Sequence, residues 1–177
     1  MSKPQRPFVP LNVAILTLSN TRTRADDTSG DLIQERLETA GHGVVQRALL
    51  PETMDMLRDR LRAWIADAGI DVIISNGGTG ITQYDIAPQA LQPFITQSIP
   101  GFGELFRMLS YADIGTSTIQ SRAEAAVAGG TVVFLIPGST PACRLAMDKI
   151  ILSQLDASHR PCNLVGLLPR HTTGKSA

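Results

Sequence analysis

The stretch DVIISNGGTG, residues 71–80, decides the fold: a short apolar run rich in branched side chains ends, without a spacer, in a glycine turn. Such a run predicts a strand buried on both faces, as in a parallel sheet. The glycines after it allow two things. They let the chain reverse closely against a following helix, or they let successive N–H groups line a concavity that holds an anion.

Three more runs of the same kind flank it. NVAILTL (12–18) and the run from Val44 to Leu50 lie upstream, and TVVFLI (131–136) lies downstream. After the first, the polar SNTRTRADD (19–27) leads to Thr28 or Ser29, either of which can cap a helix carrying Leu32, Ile33, Leu37 and Ala40, closed by Gly41. After the second, Thr53 stands where a cap belongs, and Leu57, Leu61, Trp64, Ile65 and Ala68 share one helical face up to Gly69. Thr140 with Pro141 opens a long helix to about Leu155. Helical patches are expected at 87–94, 102–111 and 118–128, broken at Pro100-Gly101 and Gly115.

Strands joined by connections of helix length imply a parallel sheet with right-handed crossovers, covered on both sides. The expected fold class is α/β: a three-layer α/β/α sandwich with a mostly parallel central sheet. A single domain is expected over residues 12–170, between a flexible N-terminal segment (1–11) and a disordered tail (171–177).

Composition removes several functions. Hydrophobic residues make up 43% and charged residues 18%, and the formal net charge is zero, which leaves no cationic excess for nucleic acid. No stretch has the length and apolarity of a membrane span or a signal peptide, so the expected location is cytoplasmic. Cys143 and Cys162 are too few for a disulfide framework and are expected as free thiols; in the first turn of its helix, Cys143 reads as a small buried residue. His42, His159 and His171 are scattered and read as surface polar groups, so no histidine relay is visible.

In an open parallel sheet, ligands bind beyond the carboxyl ends of the strands. The unusual residues of this chain fall there. The first turn holds Ser19, Asp26, Asp27 and Ser29, the second Glu52, the third Gly77, Gly78, Thr79 and Gly80 with Asp85, and the fourth Pro137, Gly138 and Ser139. The GGTG amides and the helix start after PGST offer two anion sites, which suits a ligand with more than one phosphate. Acidic residues beside phosphates repel them unless a cation intervenes, and Mg2+ takes one or two carboxylates plus phosphate oxygens. The competing reading makes these acids solvated loop residues or helix caps. GGTGITQY lacks the Gly-Lys-Ser/Thr of a P-loop, and Gly101-Phe102-Gly103 lacks the third glycine and the preceding strand of a dinucleotide fingerprint.

Read together, LTLSNTR with DDTSG, NGGTG with Asp85, PGFGELFRMLSYADIGTSTIQSRA and IPGSTPACRLAMDKII resemble the molybdenum cofactor biosynthesis protein B family. More broadly they are similar to the molybdopterin-binding domains of molybdopterin adenylyltransferases, plant Cnx proteins and gephyrin. The resemblance runs from about Asn12 to about Cys162. It implies a pterin-phosphate site built from Gly77, Gly78, Thr79, Gly80 and the neighbouring turns, with Asp85 matching the catalytic aspartate and Ser139 a ligand-facing turn. It also implies adenylylation of molybdopterin's terminal phosphate with Mg2+ and ATP, a homotrimer or homohexamer, and other enzymes of molybdenum cofactor synthesis as partners. Two positions depart from the family pattern. Glu52 stands where an aspartate is usual after the second strand, and Ser75-Asn76 stand where Thr with Thr or Gly is usual. Three readings therefore compete: an adenylyltransferase with Asp85 and Glu52 as metal-positioning carboxylates, a molybdopterin-binding carrier without chemistry, and an unrelated nucleotide-binding domain.

Overall fold

The four strand-like runs lie side by side in one six-stranded sheet, the run from Val44 to Leu50 at its edge. The computed structural model describes residues 7–171. In chain order the elements are β1 (Asn12–Leu18), α1 (Thr28–Thr39), β2 (Gly43–Leu50), α2 (Met54–Ala66), β3 (Val72–Asn76), α3 (Ala87–Leu91), β4 (Gln97–Ser98), α4 (Pro100–Ile114), β5 (Glu124–Ala128) and β6 (Thr131–Ile136). Then α5 (Thr140–Ala146) runs through a π-helical turn (Met147–Ile151) into α6 (Leu152–Leu155). β2, β1, β3 and β6 are parallel, and β5 and β4 extend the sheet antiparallel beyond β6. This is the mixed, mostly parallel α/β sheet the sequence predicts.

Strand alternation divides the core into two layers. Val13, Ile15, Val72, Ile74, Val132 and Phe134 face one layer, with Ile33, Leu37, Phe102 and Phe106 of α1 and α4. Ala14, Leu16, Ile73 and Leu135 face the other, with Leu57, Leu61 and Trp64 of α2. Among the described residues, no helix is long and apolar enough to cross a membrane.

Several expectations need correction. The helical patch expected at 118–128 stops at Gln120, the end of a 3-10 segment (Gly115–Gln120); Glu124–Ala128 is instead β5, which pairs with β6 as a hairpin. Gly129 and Gly130 carry φ of 58° and 92°, the two positive values a type I′ turn demands. β4 was not foreseen. Neither Thr28 nor Ser29 caps α1; Asp27 does, accepting from the Gly30 N–H at 3.0 Å. Ser139, not Thr140, caps α5. α2 ends at Ala66 with Asp67 as its C-cap, so Ala68 lies outside it and Gly69 only follows the turn. Gly41 does follow α1 with φ of 90°.

At the ends, Leu11 is fully buried although it falls in the segment expected to be flexible, and its N–H donates to His42 Nδ1 at 3.3 Å. His42 is therefore a core residue rather than a surface one, and burial holds its pKa below the usual value. His171, assigned to the tail, closes a 3-10 turn with Nε2 3.2 Å from the buried Asp71. Residues 172–177 of the expected tail lie outside the described residues.

Candidate active site at the carboxyl rim of the sheet

Parallel pairing delivers the turns after β1, β2, β3 and β6 to a single rim, as the sequence predicts. The floor is main chain against main chain. A Cβ placed on Gly138 would lie 3.1 Å from Gly77 Cα, so the third and fourth turns touch. Gly77 and Gly78 have φ of 98° and 65°, and a Cβ on Gly77 would lie 2.3 Å from Leu18 O, so a side chain is refused there on two counts.

The amides of the glycine loop are not all available. Gly77 donates to Ile136 O at 3.0 Å, and Gly80 donates to Asp85 Oδ1 at 2.9 Å. No acceptor for the Gly78 or Thr79 N–H occurs among the described residues, so these two can meet an anion. The loop is closed by Ala87 N–H donating to Gly78 O at 2.9 Å. Thr79 is buried and Gly80 half-buried.

Asp85 is the organiser of this loop. Besides the Gly80 amide, its carboxylate accepts the Thr82 N–H at 2.9 Å and the Thr82 hydroxyl at 2.6 Å. Burial pushes its pKa up, but the donors from Thr82 and Gly80 and the Arg122 charge outweigh that and hold it below the usual value. Glu52 differs. Its carboxylate accepts from Asn20 Nδ2 at 2.8 Å while its own N–H donates to Asn20 Oδ1 at 2.9 Å, which ties the first turn to the second. Burial and the nearby Asp85 charge raise its pKa.

Among the described residues no group of three or more His, Cys, Asp or Glu is placed to hold a metal. The Asp85 charge acts on Glu52, and a Mg2+ site would ask for only one or two such carboxylates beside water and phosphate oxygens.

The remaining expected residues take different parts. Ser19 Oγ accepts the N–H groups of Thr21 and Arg22 at 3.2 and 3.1 Å and so shapes the first turn. Ser29 is fully buried, with its hydroxyl against Arg22. Ser139 is exposed at the α5 start, where its side chain accepts from Ala142 N–H. Pro137 O accepts from the Cys143 thiol at 3.2 Å; Cys143 is buried as expected, and burial pushes its thiol up to about 12. Both cysteines are free.

Asp26 and Asp27 both take structural roles. Asp26 lies at the surface and closes a capping box with Thr23. Asp27 is fully buried: besides capping α1 it accepts from the Thr17 hydroxyl at 2.9 Å and pairs with Arg47 at 2.7 Å. Asn76, one of the two departures noted in the sequence, joins this network by donating to Thr17 Oγ1 at 2.9 Å. A buried chain of polar groups therefore runs from the base of the glycine loop to the start of α1.

Sequence reasoning missed Asn20, Thr82 and Arg122. Thr82 stands three residues before Asp85, the spacing of a local hydroxyl–carboxylate turn, and could have been found. Arg122 donates to Gly80 O and Asp85 O from 37 or more residues away, and no local signal announces it.

Comparison with known proteins places the chain in a family. Residues 14–157 match the family described as "Probable molybdopterin binding domain". Molybdenum cofactor biosynthesis protein B of Escherichia coli (strain K12) is 50% identical over 163 residues, covering 92% of this chain and 96% of that protein. The protein of the same name from Bacillus subtilis (strain 168) is 43% identical, covering 80% and 84%. A crystal structure of molybdenum cofactor biosynthesis protein B superposes with a TM-score of 0.81 at 40% identity, covering 85% of this chain and 94% of the other. A tungsten cofactor synthesizing protein from Pyrococcus furiosus does so with a TM-score of 0.72 at 32% identity, covering 80% and 90%. A chain matched over this span, in sequence and in fold, belongs to the molybdopterin-binding domain family that includes molybdenum cofactor biosynthesis protein B.

Proposed function

We propose that this protein acts in molybdenum cofactor biosynthesis by binding molybdopterin at the carboxyl rim and adenylylating its terminal phosphate with Mg2+ and ATP. The observation that carries the reading is the contact between Gly77 and Gly138. It joins two anion-binding turns into one floor, flanked by Asp85 and Glu52. A phosphorylated pterin and a nucleotide together need that second phosphate seat.

The chemistry asks little of the side chains. An oxygen of the pterin phosphate forms a bond to the α-phosphorus of ATP as the bond to the β-phosphate oxygen breaks, and pyrophosphate leaves. With its second pKa near 6, the attacking phosphate is already ionised at neutral pH, so no general base is required. Mg2+ supplies neutralisation of the developing charge. The Gly78 and Thr79 amides would orient phosphate oxygens, and Asp85 and Glu52 would hold the cation. The α4 residues Leu105, Met108, Tyr111 and Ile114, together with Ile119, expose apolar surface that supports assembly into a trimer or hexamer.

The test is direct. Purified protein given molybdopterin, Mg-ATP and pyrophosphatase yields adenylylated pterin; no product above a protein-free blank at high protein concentration overturns the assignment. One observation favours a second reading, a carrier without chemistry: Asp85 spends its carboxylate on Gly80 and Thr82, and Glu52 is held by Asn20. A carrier binds molybdopterin equally well with and without Mg-ATP and forms no product.

A further inference from the structure

We propose that Arg122 is the positioning residue that holds the Asp85 loop in its working shape. This rests on the assignment of the carboxyl rim as the site and adds to it a residue that touches no substrate.

The main chain of Arg122 donates to Thr79 O at 2.8 Å, its Nε donates to Gly80 O at 2.6 Å, and its Nη2 donates to Asp85 O. One residue thus grips three carbonyls of the glycine loop and its continuation. Those carbonyls belong to the residues on either side of the turn that the Asp85 carboxylate folds around itself. The carboxylate closes the turn from inside, and the guanidinium closes it from outside.

Arg122 is itself held in place. Arg107 of α4 donates from Nη1 to Ser121 O at 3.4 Å and to Ala123 O at 3.1 Å, the carbonyls immediately before and after Arg122. Gly103 of α4 packs against the same Ala123 O, since a Cβ there would lie 2.3 Å away. Ala123 then leads into β5, which is anchored by its ladder to β6. The guanidinium therefore starts from a rigid base. Its side-chain hydrogen bonds go to carbonyls, whose directions it fixes. Loss of such a brace leaves the sheet intact but lets residues 79–86 sample other shapes, and a misplacement of about 1 Å costs on the order of a hundredfold in rate.

The experiment compares wild type, Arg122→Gln and Arg122→Lys by amide hydrogen exchange and by steady-state adenylylation. Arg122→Gln is expected to speed exchange of the Gly80 and Thr82 amides by at least about tenfold while β1, β3 and β6 keep their protection. Its turnover is expected to fall about thirty- to a hundredfold with KM for molybdopterin changed less than about threefold. Arg122→Lys, able to reach one carbonyl at a time, is expected to recover part of the turnover. Unchanged exchange at Gly80 and Thr82 in the Gln variant overturns the proposal, and so does a loss carried by KM alone. Should wild type itself form no product, the adenylyltransferase reading falls on that result, and exchange at residues 79–86 alone decides for or against Arg122.

Discussion

Asp85 and Glu52 are carboxylates on two turns that flank β1 at the same rim, yet the protein treats them in opposite ways. Asp85 is surrounded by donors from its own loop, which stabilise its charge and lower its pKa. Glu52 has one side-chain donor, Asn20, and its pKa is raised by burial and by the Asp85 charge. The difference teaches that a shared edge does not give shared roles. The shorter acid is built into the fold of its turn, and the longer one is held by a single side-chain partner.

The contrast is broken most severely at Asp85. Asp85→Asn replaces one acceptor oxygen with an NH2 group that must face either the Gly80 or the Thr82 donors, and turnover is expected to fall by about a thousandfold or more. Equilibrium binding of molybdopterin to the same variant is expected to stay within a few fold, and a variant that turns over normally removes Asp85 from its role. Glu52→Gln is expected to lower turnover about ten- to a hundredfold, since it removes one of two carboxylates near the cation. Glu52→Asp restores the residue usual in the family, and steady-state rates above those of the wild type would show that the extra methylene limits turnover.

Smaller effects sharpen the comparison. Thr82→Val deletes the 2.6 Å hydroxyl bond to Asp85 and nothing of Glu52. It is expected to cost about 1 kcal/mol, a drop of a few degrees in Tm by scanning calorimetry, and about fivefold in turnover. The subtlest difference lies in pH. Glu52 has a raised folded-state pKa, so its contribution to stability is fully present below its unfolded value and is lost as pH rises through the folded one. Asp85 has a lowered one, so its contribution is present above the unfolded value and is lost as pH falls through the folded one. On acidification Glu52 therefore takes up its proton first. Mg-ATP affinity measured by calorimetry is expected to weaken in that first window, with proton release on binding, and Glu52→Gln is expected to abolish the proton release while leaving the Asp85 limb.

Much of this was legible in the residues, and the parts that were not share a cause. β1, β3 and β6 announce themselves because a strand buried on both faces has no choice but a branched apolar run. β5 does not, because EAAVA is as acceptable to a helix as to a strand, and only pairing across Gly129-Gly130 decides for the sheet. The glycine turns and Asp85 are visible as local motifs. Asp27 was open to reading as a ligand contact, a solvated loop acid or a helix cap until the fold made it the cap of α1 and brought Thr17 and Arg47 to it, and Arg122 is defined entirely by carbonyls far away in the chain. Local chemistry can be read from the order of residues; a brace formed across the fold cannot.

The meeting of Gly77 with Gly138 has one more consequence. Where these two residues meet, main chain lies against main chain, and peptide dipoles neither titrate nor swing away as side chains do. A phosphate bound there as proposed would meet donors whose charge does not change with acidity.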